Sequence, residues 1–380
     1  MQNLTAPPRD SLSAAQVTAL LVAPDLSVDF GVEQLDASLN LVSDISADVS
    51  SGKVSRDCLA NVHGTVDLTI SRQLAWGRDR VRPYQLLSSA TAGVSSVRFN
   101  QGVFVLTSPK RTVGETPITY EVTGFDLLNL LQCPVGDTYV TTAGTTYLQA
   151  VSDVLTASGV GSTIMADSTL SATVLPSDMV WALTDSSPAS WLRVINDLLA
   201  SINYRGLWVD QDGRFRSEPY RDPSTRAVEW VFDVADQRTN IIGEKRTESA
   251  DLWSAPNYWR FVRKAITVEP VEGAGIYTYT NQSTGASSVD SVGRLVKAPT
   301  QFLDAADQTS LVAQGDRTTT SDMSSTRLLE LTTGPFPIAS HFDVATLIDP
   351  DLGGAVKLQA RSWQMDLSGA DVSWVWEAVG

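Results

Sequence analysis

The chain has 380 residues, a formal charge of −15 from 28 basic and 43 acidic side chains, 43% hydrophobic residues and ten tryptophans. It is too long for one hydrophobic core, so about two to four domains are expected, and too apolar for a disordered chain. The charge excludes a general nucleic-acid binder, which needs enough Lys and Arg to displace counterions.

Residues 1–24 open with MQNLTAPPRD, which has two prolines and no periodic pattern, and read as an arm with no fold of its own. Met1 is followed by no basic stretch, and the apolar run Ala19 to Ala23 stops at Pro24, so neither a signal peptide nor a membrane span is expected. From 25 to 130 the pattern is mostly strands. Val66, Leu68 and Ile70 alternate with polar residues, as do Ile118, Tyr120 and Val122, giving one wet and one dry face. Val103 to Leu106 is apolar on both sides of the pleat, which predicts a strand covered on both faces.

Helices enter over 131–222. Phe125, Leu128 and Leu131 share one face of a short segment that leads in. Thr146 to Ser158 aligns Leu148, Val151 and Leu155 before Gly159. The strongest helical stripe starts at Ser187 with Pro188 in the first turn and carries Trp191, Leu192, Ile195, Leu198, Leu199 and Ile202, with Gly206 placed to end it. A strand, a turn at Asp212-Gly213 and a second strand follow. Residues 223–266 return to strands, with Val228, Trp230 and Phe232 on one face and an apolar run at Tyr258 to Val262. Residues 267–324 are rich in Gly, Ser, Thr and Asp and read as an insertion with a helix from Asp304 to about Gly315. Strands resume over 325–380, placing Trp363, Met365 and Leu367 on one face of their strand and Val372, Trp374 and Trp376 on one face of theirs. The fold class is mainly β with α+β elements: a β block, an α/β block, and a second β block with its own insertion.

Motifs for chemistry are sparse. WVDQDGRFRSEPY, 208–220, resembles the start of a calcium loop at Asp210, Asp212 and Gly213. However, a strand follows and Arg221 stands where a bidentate Glu is needed, so it reads as a hairpin turn. Cys58 and His63 form half of a zinc site without a second pair, and the bland reading of His63 is a loop residue. His341 lies nearly 280 positions away; with Asp343 it reads as a surface cross-strand neighbour rather than a dyad. For Cys58 and Cys133 a single bridge and two buried thiols both stay open. Gly273-Ala274-Gly275 is a weak phosphate cradle outside any βαβ unit, and no nucleophile elbow, P-loop or HExxH helix occurs. Arg72, Arg78, Arg80 and Arg82, interleaved with Trp76 and Tyr84, form the densest basic cluster and suit a salt-bridged protein contact better than a nucleic-acid patch. No catalytic, cofactor-binding or metal residue is assigned, and no cofactor is expected.

Taken in order, GTVDLTISRQLAWGRDRVRPYQLL (64–87), GVFVLTSPKR (102–111) and YEVTGFDLLNLL (120–131) resemble the first barrel of bacteriophage tail hub and contractile-tail baseplate hub proteins. SPASWLRVINDLLASINYRG (187–206) with LWVDQDGRFRSEP (207–219) is similar to the helix and hairpin of that family's second domain. FDVATLI (342–348) with AVKLQARSWQMDLSGADVSWVWEAV (355–379) resembles its last barrel strands. The resemblance covers most of the chain after the first ~25 residues. It implies two tube-like β-barrels, 25–130 and 223–266 with 325–380, around an α/β domain at 131–222. It further implies a non-enzymatic structural protein of the virion tail tip, assembled in the host cytoplasm. Three copies would form a ring that closes the distal end of the tail tube and encloses the channel through which DNA leaves without specific binding. Partners implied are a homotrimer, the distal tail protein ring, the tape-measure protein and tail-tip or fibre proteins, with the 1–24 arm and the 267–324 insertion as docking points. Two other readings are a virion-associated glycan or peptidoglycan hydrolase using paired carboxylates in the middle domain, and a receptor- or carbohydrate-binding module using exposed aromatics.

Overall fold

The structure, a computed structural model, describes residues 13–379 except 115–117, 162–163, 167, 169–170, 184–187, 237–244, 265–268, 306, 325–326 and 369–370. Helix α1 (Ala14–Leu21) opens the described chain. Ser13 caps it, accepting from the Gln16 amide while the Gln16 side chain accepts from the Ser13 amide. Val17, Leu20 and Leu21 are buried in a core shared with the C-terminal strands. Within the expected arm, residues 13–21 are therefore part of the folded body; residues 1–12 lie outside the described residues.

The first β module contains β1 (Ser27–Leu35), β2 (Leu41–Asp44), β3 (Val49–Asp57), β4 (Gly64–Ile70), β5 (Arg80–Ser89), β6 (Val94–Asn100), β7 (Phe104–Leu106), β8 (Lys110–Thr112) and β9 (Thr119–Asp126). Val66, Leu68 and Ile70 point inward as the alternation requires. Tyr120 and Val122 do the same, whereas Ile118 stands before β9 and is exposed. β7 is covered on both sides: Phe104 and Leu106 enter the first module's core, and Val103 and Val105 enter that of the middle module.

A 3-10 turn at Leu127–Gln132, capped by the Asp126 carboxylate, leads into the middle module. That module holds β10 (Tyr139–Thr141), α2 (Tyr147–Ser158), β11 (Ile164–Ala166), β12 (Met179–Trp181), α3 (Trp191–Ser201), β13 (Trp208–Val209) and β14 (Phe215–Ser217). Thr146 caps α2 and Gly159, at φ +71°, ends it. α3 begins at Trp191, the first residue of its apolar stripe, with Ser190 as the cap and so later than a start at Ser187, which lies outside the described residues. It also ends earlier: Asn203, at φ +54°, turns the chain ahead of Gly206.

β15 (Trp230–Asp233) and β16 (Thr247–Ala250) return to the main sheet. Next, β17 (Tyr258–Arg263), β18 (Val271–Glu272), β19 (Gly275–Thr280), α4 (Val289–Val292), β20 (Gln301–Leu303) and α5 (Gln308–Ser324) build a separate unit around Trp259, Phe261 and Leu311. Here the expected boundary shifts. The apolar run Tyr258–Val262 reads as part of the second β block, but β17 pairs with β19 and β20 of the insertion. The insertion's helix starts at Gln308 rather than Asp304 and runs past Gly315 to Ser324.

β21 (Arg327–Thr333), β22 (Val344–Asp349), β23 (Gly354–Asp366) and β24 (Val372–Ala378) complete the chain. Trp363, Trp374 and Trp376 pack with Phe232 and Phe336, and the Trp374 and Trp376 rings stack at 4.8 Å. The joint between the β modules lies in β23. Its first half pairs with β22 and, after an irregularity between Ala360 and Ser362, its second half pairs with β3. One extra residue bends a strand and lets it change partners. Fifteen described strands thus form one sheet with the main order β16-β21-β24-β23-β3-β4-β9-β7-β5-β1-β2. The chain is mainly β, as expected, but the sheet is continuous through both modules. Among the described residues, no ladder joins its two ends into a closed barrel.

Candidate functional site

All four parts of the fold line a cavity of about 270 Å³. The loop after β3 brings Cys58, Asn61 and His63, with the Cys58 amide donating to the Arg361 carbonyl at 2.8 Å. The turn after α3 brings Arg205, held along the exit of the hairpin by its amide on the Glu218 carbonyl at 2.8 Å. α5 contributes Arg317, and the β module contributes Phe342, Arg361 and Glu377. Arg205 is buried with its guanidinium 4.1 Å from the Phe342 ring centre and 5.1 Å from that of Tyr220; Arg317 lies 5.2 Å from the same Tyr220 ring. Burial, reinforced by Arg317 and Arg226, pulls Arg205 down to about 10. Burial raises the Glu377 carboxyl above the ordinary range, with Arg361 3.8 Å away opposing that shift.

The two histidines meet beside this cavity. His63 and His341 lie 5.2 Å apart, ring centre to ring centre, and both are buried. This corrects two expectations: distance along the chain does not keep them apart, because β23 pairs with β3, and His341 is no surface residue. Phe342, at φ +61°, bends the chain so that β22 starts only at Val344. His63 Nδ1 and both His341 ring nitrogens lack hydrogen-bond partners. Burial first, then Arg56, lowers His63 to about 4, and burial holds His341 well below 6.5. Cys58 is a buried thiol pushed up to about 12 by burial, which makes it a poor nucleophile. Cys133 is exposed and both cysteines are free, so neither the bridge nor the pair of buried thiols describes them.

The remaining candidates are engaged in structural contacts. In the 208–220 hairpin, the Asp210 carboxylate accepts from the Asp212 and Arg214 amides at 3.0 and 2.9 Å and from Arg216 Nε at 2.8 Å, which fastens a turn. Asp212 accepts from Asn100 Nδ2 at 2.7 Å. Gly213 has φ +84°, and a Cβ there would meet Val103 Cγ2 at 2.8 Å. Gly213→Ala is therefore expected to lose about 1–2 kcal/mol, roughly the cost of left-handed backbone for an L-residue, as read from a lower urea midpoint at unchanged slope.

In the basic cluster, Arg82 joins Arg98 on Glu33, both at 2.6 Å; Arg78 pairs with Asp79 at 3.1 Å and Arg72 with Asp48 at 3.6 Å. Arg80 donates to the Arg78 carbonyl. The cluster is salt-bridged within its own chain, with Trp76 packed against Tyr120. Gly273 and Gly275 take positive φ in a turn, and the Gly275 amide donates to the Gln308 side chain. Asp197 and Asp304 line one cavity between the middle module and the insertion, where the two-carboxylate reading would have to reside. Burial raises Asp197, but Trp181 Nε1 donates to it at 2.9 Å and Lys264 holds Asp304 at 2.9 Å. Trp253, 79% exposed beneath Arg294, is the aromatic the sugar-binding reading needs.

Sequence patterns did not reveal the Arg56–Asp126 pair. The two side chains meet at 3.5 Å with almost no exposure, and Arg56 donates to the Gln101 carbonyl at 2.8 Å. The available signals were the Asp of Gly124-Phe125-Asp126-Leu127-Leu128 and glycines at 64 and 102. A Cβ at either glycine would fall within 2.0 Å of an Arg56 guanidinium nitrogen.

No family model matches the chain, and no curated protein matches it. Its structure resembles solved phage tail proteins. The tail protein from Neisseria meningitidis MC58 superposes with a TM-score of 0.62 at 11% identity, covering 92% of this chain and 96% of that one. The 43 kDa tail protein of prophage MuSo2 from Shewanella oneidensis gives 0.61 at 10%, covering 92% and 98%. The prophage tail protein from Listeria monocytogenes EGD-e gives 0.55 at 9%, covering 91% and 94%. At these identities the likeness is one of fold.

Proposed function

We propose that this chain, which has the fold of phage tail proteins, is the subunit of a homotrimeric tail or baseplate hub. It closes the distal end of the tail tube and works by shape and charge, within the virion. The observation that carries this reading is the two-ended sheet. Its terminal strands are β2, where Leu41 and Val42 are exposed, and β16, where Thr247–Ala250 is exposed throughout. Unpaired sheet edges, the β2 edge with its exposed Leu41 and Val42 above all, invite pairing with another chain, and ring closure removes them. Each subunit would supply two tube-type β modules, so that three copies continue a sixfold tube. The charge of −15 suits a channel wall that lets a polyanion pass without holding it. The insertion unit would be a docking point for the distal tail ring, the tape-measure protein or fibres. No helix among the described residues is long and apolar enough to cross a membrane.

Mass measurement in solution tests the reading. The expected species has three times the 40.9 kDa chain mass, and Val42→Lys, which places a charge on the β2 edge, is expected to shift it toward monomer. A monomer at every concentration would overturn the trimer. A glycan hydrolase built on Asp197 and Asp304 is the second reading, and release of reducing sugars from cell walls, abolished by Asp197→Asn, would favour it.

A further inference from the structure

The cavity where the four parts of the fold meet holds more positive charge than its own carboxylates neutralise. Arg205 is 4% exposed, and its Nε has no hydrogen-bond partner. Glu218 Oε1 stands 3.7 Å from that nitrogen, beyond hydrogen-bond reach. Arg317 commits its Nη1 to the Tyr204 carbonyl at 2.7 Å and shares the Tyr220 ring with Arg205. Two guanidinium groups on one ring repel each other where water is scarce, and such an arrangement is costly unless an anion stands with it. Arg361 and Glu377 line the same cavity 3.8 Å apart, an ion pair as long as that of Arg205 with Glu218, so three arginines face two carboxylates. Net positive charge remains, in a chain whose overall charge is −15.

We propose that this cavity is a carboxylate-binding site in which Arg205 and Arg317 hold the anion. Phe342 and Tyr220 keep the Arg205 plane oriented, and Tyr220 does so for Arg317. A planar guanidinium fork matches a carboxylate better than a spherical ion. A volume of about 270 Å³ admits a small organic acid or one carboxylate-bearing side chain, and excludes a nucleic-acid strand. Because all four parts of the fold line the cavity, occupancy fastens them to one another, and ligand that binds only the folded chain raises its melting temperature. The site is built from one chain's residues and stands whether or not the chain assembles.

The full chain is titrated at pH 7 with acetate, succinate, citrate and an Asp-Glu dipeptide, against sodium chloride of matched ionic strength and inorganic phosphate. Thermal unfolding and calorimetry are the readouts. A saturable Tm rise of at least about 2 °C with a carboxylate, absent with chloride, is expected. Tighter binding of free diacids identifies a small-molecule source, and tighter binding of the dipeptide a protein side chain. Arg317→Met, at a partly buried position, and Arg205→Lys, which keeps the charge but loses the fork, are each expected to weaken binding at least tenfold. No saturable response to any carboxylate, phosphate binding as tightly, or unchanged affinity in folded Arg317→Met would overturn the site. Should neither variant fold, the titration of the unsubstituted chain against chloride and phosphate decides.

Discussion

Arg56→Met is expected to destabilise the chain by about 3–5 kcal/mol, the usual consequence of removing one partner from a buried ion pair. Arg56 and Asp126 are 3% and 0% exposed, so losing the guanidinium leaves a carboxyl that water cannot reach. Burial already raises Asp126 to about 6 with Arg56 beside it, and without Arg56 it would be driven further toward the neutral acid. The Gln101 carbonyl, which accepts from Arg56 at 2.8 Å, would lose that donor, and Phe104 would lose the cation 4.9 Å from its ring. Asp126→Asn alone keeps a side-chain oxygen for the Leu128 amide, the bond that starts the 3-10 turn. The double variant Arg56→Met/Asp126→Asn should therefore be more stable than Arg56→Met by about 1–2 kcal/mol, because the buried charge is gone. Urea unfolding of the four proteins in the cycle measures the coupling. A loss below about 1 kcal/mol for Arg56→Met would show that the pair is solvated and does little to hold β3 to the end of β9.

Local signals predicted local structure well. Thr146 and Gly159 bracket α2 because a cap and a left-handed terminator act within one turn of the helix they bound. The unbroken apolar run at Val103 to Leu106 revealed β7's two covered faces, since a strand with one wet side would alternate. Pairing was less legible. Tyr258–Val262 announces a strand, but nothing in its alternation says whether it joins the main sheet or the insertion, and β19 wins it. The meeting of His63 and His341 depends on β23 changing partners near Arg361, a register event over 300 residues from β3 that leaves no local trace. Arg56 reads as one polar position of an alternating strand, and only glycines at 64 and 102 hint that something bulky lies against the backbone there. The cavity was equally hidden. Its cation, Arg205, follows an ordinary helix end, and its other walls come from α5 and β23, which sequence order keeps far apart.

His341→Phe is expected to stabilise the chain at neutral pH and to do so increasingly as the solution is acidified. At pH 7.5 the gain comes from removing two buried ring nitrogens without partners, worth about 1–3 kcal/mol, while a phenyl ring keeps the contacts to Trp363, Phe342 and His63. Below pH 6.5 a second effect adds to it. Burial, with His63 and Arg56 beside it, holds His341 well below 6.5, so the unfolded chain takes up a proton that the folded chain refuses. Stability contributed by the neutral ring is complete above the unfolded value and is lost as pH falls toward the folded one, at about 1.36 kcal/mol per pH unit. His63, lowered to about 4, acts in the same direction. Two buried carboxyls oppose them. Asp126, raised to about 6, and Asp343, raised to about 7, keep protons in the folded chain that the unfolded chain releases, so their contribution is present at low pH and lost as pH rises through those values. The unsubstituted chain should therefore show a flat stability profile between about pH 4 and 6.5, with the histidine term hidden inside it. The difference between His341→Phe and the unsubstituted chain exposes that term, because the carboxyls are common to both. Urea unfolding at pH 7.5, 6.5, 5.5 and 5.0 should show the difference growing by about 2 kcal/mol from pH 6.5 to 5.0. A difference that stays constant with pH would mean that His341 is protonated as readily folded as unfolded, and that the seam between the β modules is open to water.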